Sequence, residues 1–88
     1  MNQYINSTEI KVCFPDVGCL VIGQLEDELQ TFCFKNGFDL KIQRGKGFLS
    51  KPLFAIIKCP EARAIYVIKL MEKAGAWTHK EQHDDKTN

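Results

Sequence analysis

The residues with the clearest chemical potential in this chain are cations without acidic neighbours. From Lys41 to Lys58 the basic side chains are Lys41, Arg44, Lys46, Lys51 and Lys58, and no Asp or Glu interrupts them. The segment therefore carries +5, against a formal net charge of +1 for all 88 residues. Arg44-Gly45-Lys46-Gly47 reads as a turn of two glycines and two cations, and glycine supplies the backbone freedom a tight turn needs. Phe48 follows it. A cationic hairpin that carries an aromatic ring can follow a phosphate backbone and stack on a base. On this reading Lys41, Arg44, Lys46 and Lys51 meet phosphates, and Phe48 stacks. Lysines on a hairpin also shield a sheet edge from pairing with another chain, so the pattern has a purely protective explanation too.

Other chemistries find less support. The histidines are His79 and His83, whose spacing would align both on one face of a helix, one way to hold a metal. They lie in a stretch, Thr78 to Asn88, that contains no apolar residue and reads as a solvated terminus, so no metal or other cofactor is expected. Cys13, Cys19, Cys33 and Cys59 form no C-x-x-C pair and read as small buried hydrophobes. A Cys–His nucleophile needs a cysteine beside the histidines and a third group to orient the imidazole, and no spacing provides one. Glu26-Asp27-Glu28 reads as the first turn of a helix, where negative charge suits the dipole. The glycines of the basic turn are not followed by a helix whose N-terminus would hold a phosphate. No catalytic constellation emerges, and an enzyme is not expected.

Composition bounds the rest. Apolar residues make up 44% of the chain and charged ones 26%, ordinary globular usage for one small domain. A net charge near zero exerts no global pull on nucleic acid or membrane, so any such preference has to come from a local patch. Met1 to Thr8 has neither a basic nor an apolar signal region. The longest apolar runs, Cys19 to Ile22 and Leu53 to Ile57, are far shorter than the roughly 20 residues a membrane helix needs. A cytoplasmic protein with no membrane contact is expected, and Asn6-Ser7-Thr8 then matches the glycosylation pattern by chance.

The elements that must position these residues follow from periodicity. Pro60 to Ala74 reads as a helix, with Pro60 at its start, Glu61 in the first turn, Ala64, Val67, Ile68, Met71 and Ala74 as one apolar stripe, and Gly75 as the stop. Pro52 to Lys58 reads as a strand apolar enough to be central in a sheet. Phe38 to Gln43 alternates as a half-buried strand, so the pair forms a hairpin around the basic turn. Leu25 to Asn36 reads as a second helix, closed by Asn36-Gly37.

The first quarter of the chain admits two readings. In the favoured one Pro15-Asp16-Val17-Gly18 is a turn joining strands Glu9–Phe14 and Cys19–Gly23, which gives ββαββα: a small antiparallel sheet with two helices on one face. Glu9-Ile10-Lys11-Val12 then matches Asp39-Leu40-Lys41-Ile42 in chemical type, as if the unit were repeated. In the other, Asp16 caps one long helix from Val17 to Asn36, giving βαββα, most of a ferredoxin-like sandwich. Lys46-Gly47-Phe48 followed by Phe54-Ala55-Ile56-Ile57 then resembles the second signature of an RNA-recognition motif. That signature is contiguous, however, whereas here Leu49 to Leu53 intervene with Pro52 among them, and no closing fourth strand is read. No family is identified from it.

The expectation is a single α+β domain over residues 1–77 with a flexible polar tail over 78–88, and an exposed Trp77 that caps the core or, in the less favoured reading, anchors a partner. Functionally, it is a non-enzymatic binding module that contacts nucleic acid through a basic hairpin over residues 41–58. The alternative is a small protein-binding regulator or inhibitor that acts through a sheet edge or a charged surface, with homodimerisation as one form. A third, weaker class is an enzyme using a cysteine thiolate.

Overall fold

In the computed structural model, residues 7–82 are described. Alternation sets the first element. In β1, Ser7–Gly18, the side chains of Thr8, Ile10, Val12 and Phe14 are buried, while Glu9, Lys11 and Cys13 point the other way, the two-residue period of a strand with one covered face. Helix α1 follows at Ile22–Asn36, then β2 at Asp39–Arg44, β3 at Ser50–Pro60, a single 3-10 turn at Glu61–Arg63, α2 at Ala64–Lys73, and β4 at Trp77–Gln82. The four strands form one antiparallel sheet in the order β2-β3-β1-β4. This is an α+β fold with the βαββαβ topology of a ferredoxin-like sandwich.

Register ties the layers together. Ile10 lies opposite Ile57, Val12 opposite Ala55 and Phe14 opposite Leu53, all buried, and on the far side Leu40 and Ile42 of β2 pair with Ile57 and Ala55. The helices cover this face with Ile22, Leu29 and Cys33 of α1 and Ala64, Val67 and Met71 of α2. Gly37 closes α1 at φ 72°, as Asn36-Gly37 suggested. Its N–H bonds to the Phe34 carbonyl and that of Phe38 to the Cys33 carbonyl, a Schellman pair with buried Phe38 as its apolar clasp. Between the helices, the Arg63 guanidinium lies 5.7 Å from the ring centre of Phe38 and 5.5 Å from that of Tyr66, a cation–π bridge across the layer.

Several expectations are corrected. The Pro15-Asp16-Val17-Gly18 turn and its hairpin over residues 9–23 are absent: β1 runs straight through to Gly18, with a register shift between Phe14 and Val17, so the repeated ββα unit is absent too. Pro15 has no N–H to give the ladder, and a bulge is where a central strand tolerates it. The Ser50 hydroxyl donates to the Asp16 carboxylate there. The turn comes later, at residues 19–21, and the helix begins at Ile22 rather than at Val17 or Leu25. Glu26, Asp27 and Glu28 are consequently not in its first turn. Ala74, placed on the apolar stripe of α2, is exposed, and Ala76 is buried instead.

The polar tail is a further correction. Residues 77–82 form β4, pairing from Cys13↔Trp77 to Thr8↔Gln82, so Trp77 leads a strand and does not cap the core. No apolar side chain marks residues 78–82 because β1 supplies the backbone partners, and polar tethers hold the helix side. The Thr78 hydroxyl donates to Glu72 at 2.8 Å, and the Lys80 ammonium lies 2.7 Å from Glu61, which also accepts the hydroxyl of fully buried Thr8.

That last cluster sets a pH dependence. Lys80 first, and then Thr8, hold the Glu61 carboxyl below its ordinary value of 4.5. A carboxyl with a lowered folded pKa adds stability that is complete above the unfolded value and disappears as pH falls through the folded one. Urea midpoints taken between about pH 6 and pH 3 should therefore fall on the acid side. Glu61→Gln should start lower at pH 6 and lose part of that slope, and an unchanged slope would remove Glu61 from the account.

Candidate functional site

Because both helices cover one side of the sheet, every second residue of each strand meets solvent on the other. Reading across β2-β3-β1-β4, the register places Gln43, Phe54, Cys13 and Trp77 in one row, Lys41, Ile56, Lys11 and His79 in the next, and Asp39, Lys58, Glu9 and Glu81 in the third. Phe54 is 45% exposed and Trp77 71%. Between them lies a shallow groove of about 500 Å³, with Cys13 and Ile56 among its lining and Lys11 and His79 at its side. Apolar rings facing water are the informative kind of surface, since a soluble protein exposes contiguous apolar patches sparingly.

The five basic residues of the predicted hairpin do not form one surface. Lys41 and Lys58 stand on the open face, within β2 and β3. Arg44 occupies the helix-side parity of β2 and is gripped by Glu26 of α1, Nε to Oε2 at 2.7 Å and Nη2 to Oε1 at 2.8 Å. This fork raises the Arg44 pKa further and lowers that of Glu26. Its charge is spent inside the molecule. Lys46 and Phe48 occupy the loop between β2 and β3, and Lys51, the second residue of β3, takes the helix-side parity of Leu53, opposite buried Val17. Phe48 is 89% exposed.

The loop has little freedom. A Cβ on Gly47 would sit 1.9 Å from the Ser50 carbonyl oxygen, and one on Gly45 would sit 2.4 Å from the Pro52 ring. The Cys19 N–H also reaches the Leu49 carbonyl at 3.0 Å, so the loop is fastened to the turn after β1. Leu20, Phe48 and Leu49 are all strongly exposed there, making a second, apolar feature at that end of the molecule.

Sequence reasoning missed Phe54 as a surface group and, of its two readings of an exposed Trp77, preferred the core cap to the partner anchor. The findable signal was parity in β3: Leu53, Ala55, Ile57 and Cys59 are one set and Phe54, Ile56 and Lys58 the other, and only one set can face a single helix layer. His79 lies one residue pair along β4 from the partner of Cys13, a diagonal of about 7–8 Å between Cα atoms, and the two make no hydrogen bond to each other. His83, the other half of the candidate metal pair, and Asp84 and Asp85 fall outside the described residues, as does Asn6 of the glycosylation pattern. Among the described residues, no three His, Cys, Asp or Glu side chains gather where a metal would bind, and no helix is long and apolar enough to cross a membrane. No family model matches the chain, nor does any curated protein.

The cysteines divide by burial. Cys33 and Cys59 are buried, Cys13 is half-buried and Cys19 is exposed, so the expectation of four buried thiols holds for two. Burial, with Cys59 nearby, pushes the Cys33 thiol up to about 11, and burial followed by the charge of Glu61 raises Cys59. The thiolate is the reactive form. Alkylation at neutral pH followed by peptide mass spectrometry should label Cys19 first and Cys13 more slowly, with Cys33 and Cys59 labelled only in denaturant. Rapid labelling of Cys33 or Cys59 in the folded protein would contradict this packing.

Proposed function

We propose that this chain is a small, non-enzymatic binding module that contacts nucleic acid through the open face of its sheet, with the basic β2–β3 loop at the rim. One observation carries the reading: Phe54 and Trp77 stand exposed on the uncovered face, both opposite Cys13. Sheet-borne aromatics that stack bases beside cations that meet phosphates are a general solution to nucleic-acid binding. On that face, Lys41 and Lys11 occupy the neighbouring row with His79. Lys46 lies in the loop with Phe48 exposed beside it, whereas Lys51 takes the helix-side parity of Leu53, opposite buried Val17. Arg44, engaged by Glu26, contributes least of the five residues that the sequence suggested.

A second reading rests on a different observation. Leu20, Phe48 and Leu49 expose apolar surface at the loop end, which suits a protein partner and keeps the regulator alternative in play.

Fluorescence anisotropy of labelled DNA and RNA, at about 50 and 200 mM salt, separates the two. Binding should weaken with salt. Trp77→Ala and Phe54→Ala should each lower affinity by about 5- to 150-fold, the range for losing one base–aromatic stack. Lys41→Ala should reduce the salt slope by about one phosphate contact, and Arg44→Ala should change it less. Absence of binding at low salt, or aromatic variants that bind as well as the parent, would overturn the reading in favour of a protein partner.

A further inference from the structure

We propose, building on the nucleic-acid reading, that the open face takes unpaired strands only, with bases stacked on Phe54 and Trp77 on either side of Cys13. Three features of the face converge on this. Both rings belong to regular strands rather than loops, and both are register neighbours of the same residue, Cys13. Two interstrand spacings therefore separate them at the backbone, about 9–10 Å. The residue between them is small, so a trough of about 500 Å³ opens there where a large side chain would fill it. Stacking on such rings requires access to the flat faces of bases, which a duplex keeps inside its own stack and a single strand leaves free.

Charge then confines the backbone. Beside the aromatic row the face carries the cations Lys11 and Lys41, with the His79 imidazole next to them, whereas the following row carries Asp39, Glu9 and Glu81 around Lys58. Lys11 is itself shared with Glu81 at 3.5 Å. Side chains on one face recur every two residues, about 7 Å along a strand, so the favourable band is about one row deep before phosphates meet carboxylates. A single phosphate chain fits along that band, which ends at Lys41 on β2. The band suits one strand crossing the sheet from β4 toward β2.

Trp77 is the only tryptophan in the chain, so emission excited selectively at tryptophan, on the red side of the absorption of Tyr4 and Tyr66, reports on this site alone. The test titrates the full chain with an oligonucleotide of about 12 nucleotides, single-stranded or annealed to its complement. Anisotropy, Trp77 emission and the alkylation rates of Cys13 and Cys19 are followed together. The expected result is quenching of Trp77 by the single strand and slowing of Cys13 alkylation by about tenfold at ten times Kd, with Cys19 unaffected and the duplex much weaker in every channel. Quenching and Cys13 protection that are as strong for the duplex as for the single strand overturn this inference while leaving the nucleic-acid reading intact, whereas binding seen by anisotropy without quenching or without Cys13 protection moves the contact off the open face and overturns both. Absence of binding in any form overturns both.

Discussion

Strand β1 hydrogen-bonds along both of its edges, to β3 on one side and to β4 on the other, and this double pairing decides both the core and the surface. Because side chains alternate, the register that sets Ile10 against Ile57 and Val12 against Ala55 also sets Cys13 between Phe54 and Trp77. A slip of one residue would turn Glu9, Lys11 and Cys13 into the core and carry Ile10 and Val12 out to water. Burying an uncompensated Lys and Glu costs far more than the lost contacts, so the register is strongly specified. The bulge at Pro15-Asp16 is compatible with that demand. It absorbs a residue whose nitrogen cannot join the ladder and still returns Val17 to the buried side.

The parts of the fold that were legible in the sequence are those with local signatures. Ala64, Val67 and Met71 at helical spacing mark α2, Asn36-Gly37 marks the end of α1, and Leu40 and Ile42 alternate with Lys41 and Gln43 in β2. What was not legible depends on distant partners. Pro15-Asp16-Val17-Gly18 has every local quality of a turn, yet pairing with β3 carries the chain through it. Residues 78–82 have no apolar periodicity, yet form an edge strand because β1 needs a second set of hydrogen-bond partners and Glu61 and Glu72 receive Lys80 and Thr78. Tertiary context outweighs propensity most readily in strands, and both misreadings are strands.

The site was legible in its charges and illegible in its rings. The basic segment was visible as a run of letters, but linear proximity hides parity: alternation sends Lys41 to the open face and Arg44 toward α1, where Glu26 takes it. Phe54 looked like core because its neighbours Leu53 and Ala55 are core. An apolar strand next to a helix-forming segment suggests burial on both faces, and although two helices on one face were expected, the alternation along β3 that follows from it was not carried through to Phe54. Trp77 looked like a cap because nothing after it resembled a strand.

A face that is neutral in sum, with Lys11, Lys41 and Lys58 against Glu9, Asp39 and Glu81, would be a poor magnet for any polyanion if the charges were mixed. They are partly sorted: the row beside the aromatics holds two lysines and a histidine, and the next row holds the three carboxylates. At physiological ionic strength fields fade within about 8 Å, so a ligand lying on one row responds mainly to that row. On the proposed reading, local sorting would give a chain of net charge +1 an anion-binding band, and the carboxylate row would add selectivity, because it would make a wide or misplaced polyanion less favourable than one strand set along the rings. Stacking on Phe54 and Trp77 would supply the affinity, and the sorted charges would decide where the backbone runs.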